Sequence, residues 1–119
     1  MNQLLLTPED LLSGAEHTYE IAIPLSILHP SHASDQGSEP NSDMMVQLRP
    51  LTIGTFQLIM KAARQDTGLI PLLMIKEALV EPSLSLEQVK RLHLGLVNFL
   101  IDQIRQISGL TEKKSPSVA

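Results

Sequence analysis

The sequence contains no cysteine, so it can form neither a disulfide nor a thiolate metal site. This absence is compatible with the reducing cytoplasm, which we take as the expected location. Aromatic side chains are scarce as well, since Tyr19, Phe56 and Phe99 make up 3% of the 119 residues. Proteins that hold single-stranded nucleic acid stack the bases on more rings than this, so the composition does not favour such binding.

Long apolar runs are missing too. The longest covers residues 69–75 and is interrupted by Pro71, far short of the ~20 apolar residues that cross a bilayer. The leucines near the N-terminus have no basic flank, and Glu9 and Asp10 follow them directly. That pattern argues against a secretory signal, and we expect no membrane partner.

Basic residues are few, with nine Lys and Arg against thirteen Asp and Glu and a formal net charge of −4. The densest basic positions, Lys90 with Arg91 and Lys113 with Lys114, are each only two residues wide. A nucleic-acid-binding domain usually presents a basic face. We therefore expect no nucleic-acid partner.

Motifs that carry catalysis or hold cofactors are also absent: GxxxxGK[ST], GxGxxG and GxSxG do not occur. His29 and His32 are three residues apart, but Pro30 lies between them, so a metal site is not predicted. Glu77 and Glu81 could share a helix face, yet nothing nearby indicates the pocket that acid–base catalysis needs. We expect no catalytic residue, cofactor or metal, and predict that the protein is not an enzyme.

Composition divides the chain into four parts. Residues 1–30 contain a predicted short helix and a strand, and residues 44–110 contain a second strand followed by helices. Between them, residues 31–43 read SHASDQGSEPNSD. This small, polar, acidic segment cannot offset its ordering entropy by burial, so we expect a flexible linker. The polar residues 111–119 are an expected disordered tail.

Two segments, 18–23 and 44–49, carry apolar residues at alternate positions, which is typical of half-buried strands. We expect them to pair as an antiparallel hairpin, which would need helices to pack on. Because the strands come first and most helices follow, the expected class is α+β and mainly α-helical. The expected architecture is a small N-terminal hairpin on a block of three to four helices.

The first two helices are predicted from their start signals. Thr7 followed by Pro8 and acids predicts a short helix that Gly14 ends. Thr52 is the predicted N-cap of a helix that runs to about Asp66. Leu51 and Phe56 flank this cap at the spacing of a hydrophobic staple.

Three further helical elements are expected, over about 70–81, from Ser85, and over about 96–108. Ser85 and Gln88 have the spacing of a capping box. His93 marks a break, where a capping or half-buried role is expected. Gly109 stands where a glycine ends a helix.

The helix predicted over 70–81 is apolar on nearly every side, and only Lys76 and Glu77 interrupt its apolar ring. Such a helix must be buried all round, which a small domain achieves with difficulty. One interpretation is that this is the central core helix, and another is that part of it binds a partner or a second copy. The candidate partner-binding residues are Leu72, Leu73, Met74, Ile75, Leu79, Val80, Phe99 and Ile101.

Three segments, VQLRPLT at 46–52, IKEALVEPSLS at 75–85 and IRQISGL at 104–110, follow one another in an order that resembles the tail assembly chaperones of tailed phages and related proteins of contractile injection systems. The N-terminal region, the acidic linker and His93–Leu94 in place of Leu–Pro depart from that pattern. The resemblance implies a non-catalytic protein that binds the tape-measure protein and keeps it soluble until the tail tube polymerises. The alternative is a small baseplate or tube-end component of the same kind of particle.

Overall fold

The computed structural model describes residues 5–29 and 44–110. This part of the chain has a mainly helical α+β fold, as the order of the predicted elements indicated. The helices are α1 Pro8–Leu12, α2 Leu25–Leu28, α3 Ile53–Ala62, α4 Leu69–Ala78, α5 Leu86–Val89 and α6 Leu94–Ile107, and the strands are β1 Tyr19–Ala22, β2 Met45–Leu48 and β3 Leu79–Glu81. A 3-10 turn, Ser13–Glu16, follows α1. The predicted linker, 31–43, and the predicted tail, 111–119, lie outside the described residues.

The three strands form an antiparallel sheet in the order β1-β2-β3. The predicted pairing of the first two strands is confirmed, with Ile21 opposite Val46. The apolar sides of the strands face the helices, and Ile23 and Leu48 are buried there. The sheet therefore closes one side of the core.

Strand β3 corrects the prediction that α4 continues to Glu81. The helix ends at Ala78, and Leu79 takes an extended backbone conformation and pairs with Leu48. Two local features favour this ending. Val80 is β-branched, and a residue that precedes a proline, as Glu81 precedes Pro82, is sterically disfavoured in a helix.

Helix α4 is the centre of the core. It packs against α3, α5 and α6 and against the strand that follows it, and Ile75 and Ala78 have no exposed surface. The interpretation of this helix as the central core helix therefore holds. The buried core consists of Ile23, Leu48, Ile59, Ala63, Met74, Ile75, Ala78, Leu79, Val89, Leu96, Leu100 and Ile104.

The predicted helix starts are confirmed by their hydrogen bonds. The backbone N–H of Thr55 donates to Thr52 Oγ1 at 3.1 Å. Ser85 and Gln88 form both bonds of a capping box. His93 caps α6, because its Nδ1 accepts a hydrogen bond from the backbone N–H of Leu96 at 3.3 Å.

Two helix boundaries differ from the prediction, and one short helix was missed. Helix α3 ends at Ala62, before the predicted Asp66, because turns over residues 63–68 replace its last predicted turn. Helix α6 begins at Leu94, before the predicted residue 96, because His93 itself is its cap. Helix α2, which follows Pro24, has only four residues and is too short to show a helical period in the sequence.

Candidate protein-binding surface

Three of the predicted partner-binding residues lie in the core. Met74 and Leu79 are buried and Ile75 is 0% exposed, because α4 is enclosed by three helices and β3. They therefore belong to the core of the described fold and present little or no side-chain surface to a partner. Leu72, Leu73, Phe99 and Ile101 are half-buried and pack against the core, and Val80 is half-buried in β3.

Four of the exposed large apolar residues lie on α3. This helix packs on α4 through Ile59, which is buried, and is followed by the buried Ala63. The four remaining large apolar side chains of α3 point outward. We call Ile53, Phe56, Leu58 and Met60 the α3 surface, and their exposed fractions are 76%, 37%, 66% and 44%.

The sequence contained a signal for this surface. Ile53, Phe56, Ile59, Met60 and Ala63 share one predicted apolar stripe. Packing divides this stripe, because Ile59 and Ala63 are buried whereas Ile53, Phe56 and Met60 are exposed. Leu58 lies outside the stripe. Position within the stripe, and not hydrophobicity, decides which of these residues is buried.

An open depression of about 400 Å³ lies where α3 packs on α4. We call it the α3–α4 groove, and its lining residues are Thr55, Leu58, Ile59, Lys61, Ala62, Leu73 and Glu77. Its walls are mainly apolar, and Lys61 and Glu77 bring one charge of each sign. Leu73 is the predicted partner-binding residue that lines this groove.

A second depression, of about 160 Å³, lies at the start of α3. We call it the α3–α6 notch, and it is lined by Leu51, Thr52, Ile53, Phe56, Ser108 and Leu110. The backbone N–H of Leu51 donates to Ser108 Oγ at 2.9 Å there. This bond links the start of α3 to the end of α6, and so helps to hold α3 in place relative to the helical core.

The end of α6 is held by local geometry at this notch. Gly109 has a φ of +76°, which glycine adopts without strain. The N–H of Leu110 then donates to the carbonyl oxygen of Arg105 at 2.7 Å, which is the helix ending that Gly109 predicted. Leu110 is thereby turned to the notch wall.

A third depression, of about 370 Å³, lies on the outer face of the sheet. Glu20, Gln47 and Glu81 stand in one row across the three strands. No group of three or more histidine or acidic side chains suited to a metal ion occurs within 5–29 and 44–110. The row is an exposed acidic face of the sheet.

The pKa of Asp10 is lowered from its ordinary value of 3.8. The first cause is the hydrogen bond that its carboxylate accepts from the backbone N–H of Thr7, at 2.8 Å, and the second is the bond to the Thr7 side chain. Both stabilise the charged form. They belong to the capping box at the start of α1 and indicate a structural role.

Comparisons with protein-family models, with curated proteins and with solved structures found no match for this chain. Among the described residues, none of the helices combines the length and the apolar character needed to cross a membrane.

Proposed function

We propose that this protein is a non-catalytic assembly chaperone whose α3 surface binds an apolar helix of a client chain. The proposed client is the tape-measure protein of a phage-tail-like or contractile injection particle, bound in the cytoplasm and released when the tube polymerises. The exposure of Ile53 and Leu58 on α3 is the observation that carries the proposal.

The physical support is the cost of leaving such a surface in water. Burying a fully exposed leucine or isoleucine side chain is worth about 1.5–3 kcal/mol. Helix α3 leaves four large apolar side chains exposed on two turns and a half, although α4 beside it is covered on several sides. Ile53, Phe56 and Met60 share one side of the helix by their spacing, and Leu58 lies on another side, at the α3–α4 groove. Large exposed apolar areas on a small domain are typical of interaction sites.

The α3–α4 groove suits a helical client in particular. An amphipathic helix binds by placing its apolar stripe into an apolar groove. Leu58 and Leu73 give the groove an apolar lining, and Lys61 and Glu77 supply polar groups for the flanks of the bound helix. A long helical tape-measure protein would present many such stripes.

The resemblance to tail assembly chaperones supplies the particular role, and the comparisons add no support to it. Two of its segments, 46–52 and 104–110, meet in the fold at the hydrogen bond between Leu51 and Ser108. That bond is consistent with the two segments serving one structural purpose, which is to hold the start of α3.

The test is co-expression with the tape-measure protein of the particle. We expect the wild-type chain to keep the tape-measure protein in the soluble fraction. Leu58→Glu, on the α3 surface, should lose this effect, and Asn98→Glu, on an exposed polar position of α6, should keep it. Equal solubility with all three chains, or with none of them, would contradict the proposal.

The alternative function, as a baseplate or tube-end component, is distinguished by whether the protein is present in mature particles. A chaperone that leaves is absent from purified particles, whereas a structural component is present at fixed stoichiometry. Quantitative mass spectrometry of purified particles separates the two.

A further inference from the structure

The N-terminal segment leaves a second apolar surface without cover. Leu5, Leu6, Leu11 and Leu12 are 92%, 66%, 71% and 62% exposed. Within the described residues, α1 contacts the 3-10 turn that follows it and buries none of its own residues. Helices this short do not persist in water without tertiary packing, so α1 needs a surface to pack on.

The start of α1 is nevertheless well specified by its sequence. Thr7 and Asp10 form both hydrogen bonds of a capping box, and Pro8 occupies the first turn. These features favour the helical conformation once the segment packs on a surface. A segment that is specified as a helix and carries exposed leucines is suited to bind an apolar groove.

Charge identifies the surface to which this segment is complementary. Residues 1–48 contain seven Asp and Glu and no Lys or Arg, whereas all nine Lys and Arg lie in residues 49–119 with six acids. Around α1 the charged side chains are Glu9, Asp10 and Glu16. Lys61 in the last turn of α3 and Arg64 in the turn after the helix are both exposed, and neither forms an ion pair within the described residues.

We propose that the α3 surface of one chain is covered by the α1 segment of a second copy, which receives the first chain's α1 in return. The leucines of α1 would lie against Leu58 and the α3–α4 groove, with Glu9 near Lys61 or Arg64. A reciprocal exchange, in which each chain places its segment on the other chain's surface, closes as a two-fold dimer. The inference rests on the proposed function in one respect, which is that α3 is a binding surface.

The dimer gives the proposed chaperone a way to protect its own apolar surface before a client arrives. A client helix and α1 would compete for the same groove, so that dimer formation and client binding exclude each other. Opposite charges contribute to the contact, so the dimer should weaken as ionic strength rises.

The experiment measures the mass of the purified full chain by sedimentation equilibrium over a range of concentrations. We expect the wild-type chain to reach about twice its mass of 13.1 kDa. Leu12→Glu on α1 and Leu58→Glu on α3 should each remain folded by circular dichroism and sediment as monomers. Asn98→Glu is the matched control and should remain dimeric.

Mixing the two monomeric variants tests whether the α1 segments are exchanged between two copies of the chain. A mixture of Leu12→Glu and Leu58→Glu chains contains one intact α1 and one intact α3, so one of the two contacts is restored. We expect dimers in the mixture that neither variant forms alone. A mixture that stays monomeric, a wild-type chain that is monomeric throughout, or dimers that survive in both variants would overturn the proposal.

The outcome is distinguishable from failure of the proposed function, because no client is present in the sedimentation assay. Leu12→Glu should keep the tape-measure protein soluble on co-expression, whereas Leu58→Glu should not. If Leu58→Glu loses the client while the masses do not change, the dimer is wrong and the client surface stands. If the masses change as expected and Leu58→Glu still keeps the client soluble, the dimer stands and the proposed client surface is wrong.

Discussion

The backbone N–H of Leu51 donates a hydrogen bond to Ser108 Oγ at 2.9 Å, joining positions 57 residues apart in the sequence. Leu51 precedes the cap of α3, and Ser108 is the C-cap residue of α6. The bond therefore links the start of the exposed helix to the end of the longest helix. It satisfies a part-buried N–H that the strand-to-helix connection would otherwise leave without a partner.

Ser108→Ala should lower the free energy of unfolding by about 1–3 kcal/mol, because it leaves the N–H of Leu51 unsatisfied. The measurement is chemical denaturation followed by circular dichroism. Ser83→Ala, at an exposed serine outside this contact, is the control and should change little. Equal stability of the two variants would show that water replaces the Ser108 hydroxyl without cost.

Ser85→Ala should lower stability by about 1 kcal/mol, the usual value for a lost N-cap. Ser85 Oγ accepts from the N–H of Gln88 at 3.2 Å, and Gln88 Oε1 accepts from the N–H of Ser85 at 2.9 Å. The melting temperature is the measurement, with Ser83→Ala again as the control. An unchanged melting temperature would mean that α5 contributes little to the cooperative unit.

A substitution to glutamate should unfold the chain when it is made in the core of α4 and leave the fold intact when it is made on the exposed side of α3. Ile75→Glu buries an unpaired charge in the centre of α4, which costs more than a small domain can offset, so we expect an unfolded chain. Leu58→Glu, at a side chain that is 66% exposed, should leave the helical circular dichroism spectrum unchanged. A folded Ile75→Glu variant, or an unfolded Leu58→Glu variant, would contradict the assignment of core and surface.

The carboxyl group of Asp10, in the capping box of α1, should titrate below the ordinary range of an aspartate. Because the pKa of Asp10 is lowered in the folded chain, its stabilising effect is present above the unfolded pKa of about 3.9. That effect is lost as the pH falls through the lower, folded pKa. The measurement is an NMR titration of the Asp10 carboxyl and the Thr7 amide.

Thr7→Ala is the informative variant for this titration. It removes the side-chain bond and keeps the backbone N–H that is the larger cause of the shift. We therefore expect a partial return of the Asp10 pKa toward its ordinary value. A full return would contradict the order of the two causes, and an unchanged pKa would show that the side-chain bond does not contribute to the shift.

Local signals in the sequence predicted the local features of the fold. The caps at Thr52 and Ser85 were read from residue type and spacing and are confirmed by hydrogen bonds. The hairpin was read from alternation in 18–23 and 44–49, and its pairing is confirmed. Each of these depends on residues only a few positions apart, or on the two-residue period of a strand.

The features that the sequence did not reveal depend on tertiary neighbours. Residues 79–81 continue an apolar run that looks helical, and they become a strand because β2 offers them a partner edge. Helix α4 and helix α3 both have ample apolar residues, and only the packing determines that α4 is enclosed and α3 is not. The sequence pattern indicated a surface on residues 72–80 and on α6, whereas the exposed apolar side chains of the fold lie on α3, with Leu73 in the groove between α3 and α4.

The central claim is that the α3 surface contacts the client, and site-specific photocrosslinking in cells that assemble the particle tests it most directly. A photoreactive amino acid would replace Leu58 in one chain and Asn98 in the control chain, both at exposed positions. We predict that position 58 crosslinks to the tape-measure protein, identified by mass spectrometry, and that position 98 does not. Crosslinking from both positions to the same extent, or to the tape-measure protein from neither, would contradict the account.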